Sequence, residues 1–108
     1  MRILLDECLP KDLAGEISGH TVKTVPQAGW ASIKNGKLLR LIAHSGKFDV
    51  FVTMDKNLPR EQKLNDLPFA VVVLRAKSNR LADLAPLVEG CLTQMRSIKP
   101  GQIARIGE

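Results

Sequence analysis

The chain is poor in cysteine and aromatics, and it has no long apolar run. Only two cysteines occur, Cys8 and Cys91, among 108 residues. They make no CxxC and no metal-ligand spacing, which argues against a disulfide framework and a thiolate zinc site. A single bridge between the two stays open. Cys91 falls on an apolar helical stripe, where a small buried hydrophobe is expected. No apolar run approaches the ~20 residues of a membrane helix. The opening basic residue runs straight into a strand that ends in acids, so no signal peptide is expected and the protein is placed in the cytoplasm, with no membrane partner. No GxGxxG or GxxxxGK[ST] is present, which leaves glycine-loop nucleotide binding without support. His20 and His44 pair with no cysteine. Trp30 is the only tryptophan, and packing its loop onto the sheet is expected over stacking on a base. Without repeats or low-complexity segments, residues 1–108 read as a single domain.

What the chain does have is ordinary apolar content and excess positive charge. Hydrophobic residues make up 44% and charged residues 25%, as in soluble globular domains. Sixteen Lys and Arg against eleven Asp and Glu leave a net charge of +5. Such a charge favours encounter with polyanions, nucleic acid first, although it also serves solubility.

Short apolar runs bounded by turn residues predict strands at Arg2–Asp6, His20–Val25, Asp49–Met54, Phe69–Leu74 and Gln102–Ile106, the last at an edge. Pro10 suits the start of a helix whose inward face is Leu13, Ala14 and Ile17, with Gly19 at its exit. Ser32 is expected to cap a helix carrying Ile33, Leu38, Leu39, Leu41 and Ile42, weakened by Gly36 and ended by Gly46. Residues 55–66 read as a polar loop with one helical turn. Ser78 or Asn79 should cap a long amphipathic stretch from Leu81 to Met95 that Pro86 must kink or split. This order predicts an α/β sandwich with a mainly parallel central sheet.

Two of these strands end in carboxylates: Asp6 and Glu7 after the first, Asp55 after the third. In open parallel sheets ligands bind beyond the carboxyl ends of the strands, so the three acids are expected to converge there. Hard oxygen donors of this kind suit Mg²⁺ or Mn²⁺ in phosphodiester hydrolysis, with Asp6 and Asp55 as ligands and Glu7 as a third ligand or a base for the water. A lone acid after a strand is more often a turn former or a helix cap. Thr53 could support Asp55 by a hydrogen bond, or simply serve as a β-former. Lys11, Lys34, Lys37, Lys56 and Arg60 flank the acids, so a basic rim around an acidic pocket is expected to take nucleic acid.

"ILLDECLP" resembles the opening of the small PIN-like proteins of the DUF5615 group, relatives of PIN-domain nucleases such as the VapC-type toxins. The resemblance continues through "GWASIKNGKLLRLIA", "FDVFVTMDKNLP", "VVVLRAKSNRLADLAPLV" and "PGQIARIG", nearly the whole chain. It implies a PIN-like three-layer α/β/α sandwich and an acidic pocket that binds Mg²⁺ or Mn²⁺ and cleaves RNA. It also implies an antitoxin partner and a homodimer for many members. Asp6 and Asp55 match the strand-ending acids, and Glu7 the second acid of the opening motif. Many relatives carry acids where this chain has Asn35 and Asn57. Amides offer oxygen without charge, so metal affinity should be lower here. That departure leaves an alternative, a non-catalytic PIN-like module that binds RNA or a protein. "LLDE" and "VTMDKNLP" also look like the pocket of a phosphoacceptor receiver. A receiver, however, needs a strand before its pocket lysine, and the residues before Lys99 read as helix.

Overall fold

Apolar runs too short for helices pair here as strands. β1 (Arg2–Leu5), β2 (Thr21–Thr24), β3 (Val50–Thr53), β4 (Ala70–Arg75) and β5 (Ile103–Gly107) form one parallel sheet in the order β2-β1-β3-β4-β5. This is a computed structural model and describes residues 1–107. The central strands β1, β3 and β4 are buried on both faces, which is why they read as continuous apolar runs without alternation. Helices cover the two faces, so the architecture is the expected α/β/α sandwich. No helix among the described residues is long and apolar enough to cross a membrane.

Alternate strand residues feed two separate clusters. One holds Ile3, Leu5, Val50, Val52, Val72 and Leu74 beneath Leu13, Ile17, Leu84, Cys91 and Met95. The other holds Leu4, Phe51, Val71 and Val73 beneath Leu38, Leu39, Ile42 and Leu58. The first face is thus covered by the 3-10 helix Lys11–Glu16 and by α3 (Leu81–Leu84) and α4 (Val88–Met95). The second is covered by α1 (Asn35–Ser45) and the short α2 (Leu58–Glu61).

From this follows the hand of each connection. The β1–β2 link runs over the first face towards one edge. The β2–β3 and β3–β4 links run over the second face towards the other edge, which gives all three the same hand. The β4–β5 link continues in the direction of β3–β4 but returns over the first face. It therefore has the opposite hand, against a rule obeyed in about 98% of parallel crossovers. Coverage explains the exception. Without α3 and α4, the first face would have only a six-residue 3-10 helix to shield it.

Several local expectations are corrected. The segment after Pro10 is a 3-10 helix, and Pro10 stands just before it at φ −67, ψ 140. Ser32 does not cap α1. The residue before that helix is Lys34, Ile33 lies outside it, and Ser32 takes a left-handed φ of 66. Pro86 splits the long amphipathic stretch, because a 3-10 turn at Ala85–Leu87 separates α3 from α4. Arg80 precedes α3, while the Ser78 hydroxyl accepts the Arg80 N–H and contacts the Asp83 carboxylate. Both cysteines are free. Gly46 ends α1 at φ 62 as expected, and β5 lies at an edge.

Candidate active site

β1 and β3 are neighbours with Leu5 opposite Val52, so Asp6 emerges beside Thr53 at the carboxyl edge. The Asp6 N–H prolongs the ladder by donating to the Val52 carbonyl at 2.8 Å. A sheet ordered 2-1-3-4-5 has its switch point between β1 and β3, where the chain leaves in opposite directions and a crevice opens. The expected pair of strand-ending acids therefore sits at the switch point.

Thr53 organises the pair. It is fully buried, and its hydroxyl donates to Asp6 Oδ2 at 2.6 Å while accepting the Asp55 N–H at 3.0 Å. One oxygen thus joins the side chain of one acid to the backbone of the other. The Asp55 carboxylate is held on both sides: Asn35 Nδ2 donates to Oδ2 at 2.8 Å, and the Asn57 N–H donates to Oδ1 at 3.0 Å. Asn35, the first residue of α1, thereby ties that helix to the pocket. Asn57 contributes through its backbone rather than its amide. Asp6 Oδ1 accepts the Glu7 N–H at 2.7 Å. Asp6 and Asp55 are both half-buried, so their oxygens stand between core and solvent.

Glu7 goes elsewhere. Its Oε1 accepts the Ser32 N–H at 2.8 Å, which anchors the loop before α1 to the exit of β1. Among the described residues, no group of three or more His, Cys, Asp or Glu side chains is placed to hold a metal ion. The structure brings Asp6, Thr53, Asp55, Asn35 and the Asn57 backbone together and leaves Glu7 at their side.

Comparison with protein-family models, with curated proteins and with solved structures found no match to this chain.

Cys8 is a member of the site that sequence reasoning misses. Its sulfur lies 3.6 Å from Asp6 Oδ2 and 3.9 Å from Thr53 Oγ1. The thiol is pushed up from its ordinary value, first by burial of the sulfur and then by the Asp6 charge, against contacts with the Met54 backbone and Thr53 that lower it. Such a thiol stays protonated at neutral pH and is a poor nucleophile. Asn79 closes the surround by donating to the Cys8 carbonyl at 3.3 Å.

The expected rim residues Lys11, Lys34, Lys37, Lys56 and Arg60 are all exposed, each on a segment adjoining the carboxyl edge. Sequence reasoning also misses Arg75, Lys77 and Arg105 at the ends of β4 and β5, which border cavities beside Met54 and Lys56. A signal for them exists: a parallel strand that ends in Arg75 delivers it to the same edge as Asp6 and Asp55. The opposite edge is separate. There Arg2 pairs with Asp49 at 3.1 Å, His20 precedes β2, and Lys99 precedes β5, so no lysine reaches the acids from the place a receiver would need it.

Proposed function

We propose that the Asp6–Asp55 pair is the centre of a metal-assisted ribonuclease of PIN-like type. The observation that carries this reading is the shared Thr53 hydroxyl, which ties the Asp6 carboxylate to the Asp55 backbone at the switch point of a parallel sheet. Two carboxylates and the amide oxygen of Asn35 are hard donors. They fit Mg²⁺ or Mn²⁺, ions commonly held by one or two carboxylates plus waters and substrate phosphate rather than by an all-protein cage. When bound, such an ion would polarise a phosphoryl oxygen and lower the pKa of a bound water.

The chain's own residues do the rest. Thr53 orients Asp6, while Asn35 and the Asn57 N–H orient Asp55, so neither carboxylate has to be ordered when substrate arrives. The surplus of positive charge draws RNA to this edge. Labelled RNA incubated with Mg²⁺ or Mn²⁺ provides the test. Cleavage should vanish in EDTA and fall on the order of 100-fold or more in Asp6→Asn and Asp55→Asn, since loss of even an outer-sphere partner costs about 10–100-fold. Undiminished cleavage in both variants would refute the site. In the toxin setting that the resemblance implies, with an antitoxin partner, expression of the protein alone should arrest growth and Asp6→Asn should relieve the arrest.

A second reading has its own support. Because Glu7 is committed to Ser32 and neutral Asn35 occupies an oxygen of Asp55, the pocket carries only two acids. A module that binds RNA without cutting it would retard the same labelled RNA on a gel and leave it intact with either metal.

A further inference from the structure

The reversed β4–β5 crossover leaves the second face of β5 without a helix of its own, so Ile103 is only half-buried and Arg105 is exposed, and the surface around them is basic. α3 and α4 return over the first face, so no helix follows α2 across the second face of β5. On β4, Val71, Val73 and Arg75 share that second face, and on β5 Ile103 and Arg105 share it. Val73 pairs with Arg105 in register, which makes Arg75 and Arg105 diagonal neighbours, both exposed while Val71 and Val73 stay buried. Lys56, Asn57 and Arg60 form the opposite wall of a cavity of about 240 Å³, with Val73 in its floor.

No acid lines this cavity. Among the described residues the only ion pairs are Arg2–Asp49 and Lys63–Asp66, and neither involves these four cations. In the depression on the other side of Arg75 the one acid is Asp83, and its carboxylate is engaged by the Ser78 hydroxyl. Four cations crowded into one groove repel one another, and a polyanion relieves that repulsion. The groove adjoins the acid pair through Asn57, which lines it and whose N–H donates to Asp55 Oδ1.

We propose that the groove between α2 and the ends of β4 and β5 is a binding track for the phosphate backbone of a single-stranded RNA, with Arg75 and Arg105 as its principal contacts. The choice of RNA over another polyanion rests on the ribonuclease reading above. The track shares Lys56 and Arg60 with the flank expected from sequence but adds Arg75 and Arg105, whereas Lys34 and Lys37 stand at the start of α1 and do not line it. Recognition is by backbone charge: no aromatic side chain lines the cavity, and the sole tryptophan packs edge-on to Phe48. Arginine suits this role, because its planar fork matches phosphate oxygens in a bidentate manner.

The test is fluorescence anisotropy with a labelled oligouridylate of about 12 nucleotides in EDTA, where no hydrolysis occurs, titrated from low to moderate salt. Arg75→Gln/Arg105→Gln should weaken binding about tenfold or more and flatten the slope of log K against log salt by about 1.4, or about 0.7 for each phosphate that is no longer neutralised. Lys34→Gln/Lys37→Gln removes the same charge and should weaken binding less than about threefold. Asp6→Asn, which loses cleavage, should bind no more weakly than the wild type because it removes a negative charge, so loss of cleavage and loss of the track are read separately. Equal weakening in the two double variants, or no salt-sensitive binding in the wild type, would overturn the track. All four residues are exposed, and unchanged melting curves would confirm that each variant folds.

Discussion

Thr53 holds the site together at the scale of a single side chain. Thr53→Val keeps the buried shape but leaves the Asp55 N–H without its acceptor and Asp6 Oδ2 with only the weak Cys8 thiol as donor. An unsatisfied buried group costs about 1–3 kcal/mol, so the urea midpoint should fall accordingly and RNA cleavage should fall with it. Thr53→Ser retains both bonds and loses one methyl, worth about 1 kcal/mol, so it should keep most of the cleavage that valine abolishes. The two thiols give an independent check on the same surroundings. Cys8 should react with a thiol reagent at mildly alkaline pH more slowly than free cysteine, and Asp6→Asn should speed it by removing the charge that opposes the thiolate. Cys91, pushed up to about 11 by burial, should react only on unfolding. A Cys8 rate equal to that of free cysteine would show that its sulfur does not face Asp6.

Elements differ in how plainly their sequences announce them. The buried strands and the end of α1 at Gly46 are legible, because continuous apolar runs and a glycine after a helical stripe each have one simple structural use. The acid pair is legible as well, since Asp6 and Asp55 follow two such runs directly. Ser32 and Glu7 are not. Their bond spans 25 positions and accompanies a left-handed Ser32, a tertiary choice that local propensity does not encode. Arg75 is easily missed beside the carboxylates, although it ends its strand just as they end theirs. Within α1, Gly36 is an avoidable weakness. Its φ is not positive, and an added Cβ would meet only the ends of Gln62 and Arg40 at ordinary contact distances. Gly36→Ala should therefore stabilise the protein by up to about 1 kcal/mol in thermal or urea melts. Between the starts of β1 and β3, Arg2 holds the Asp49 carboxyl below its usual range. A depressed acid contributes stability above its unfolded pKa and loses it as pH falls through the folded value. Wild type should thus lose an acid-side increment below about pH 4 that Arg2→Gln lacks, and this difference should shrink in high salt because the pair is exposed.

For the whole molecule, the deciding fact is that distant parts of the chain share one cluster. Leu13 and Ile17 lie against the same face as Leu84, Cys91 and Met95, so neither group is buried without the other. Unfolding should be a single transition, with Trp30 emission and far-UV circular dichroism superimposing through a urea titration; separated midpoints would show independently stable parts. The same sharing bears on synthesis. During translation at roughly 5–20 residues per second, Leu13 and Ile17 leave the ribosome several seconds before the helices that shelter them exist. The nascent chain meanwhile displays an apolar face with no cover, so the last helical segment to emerge sets when the protein becomes safe from aggregation.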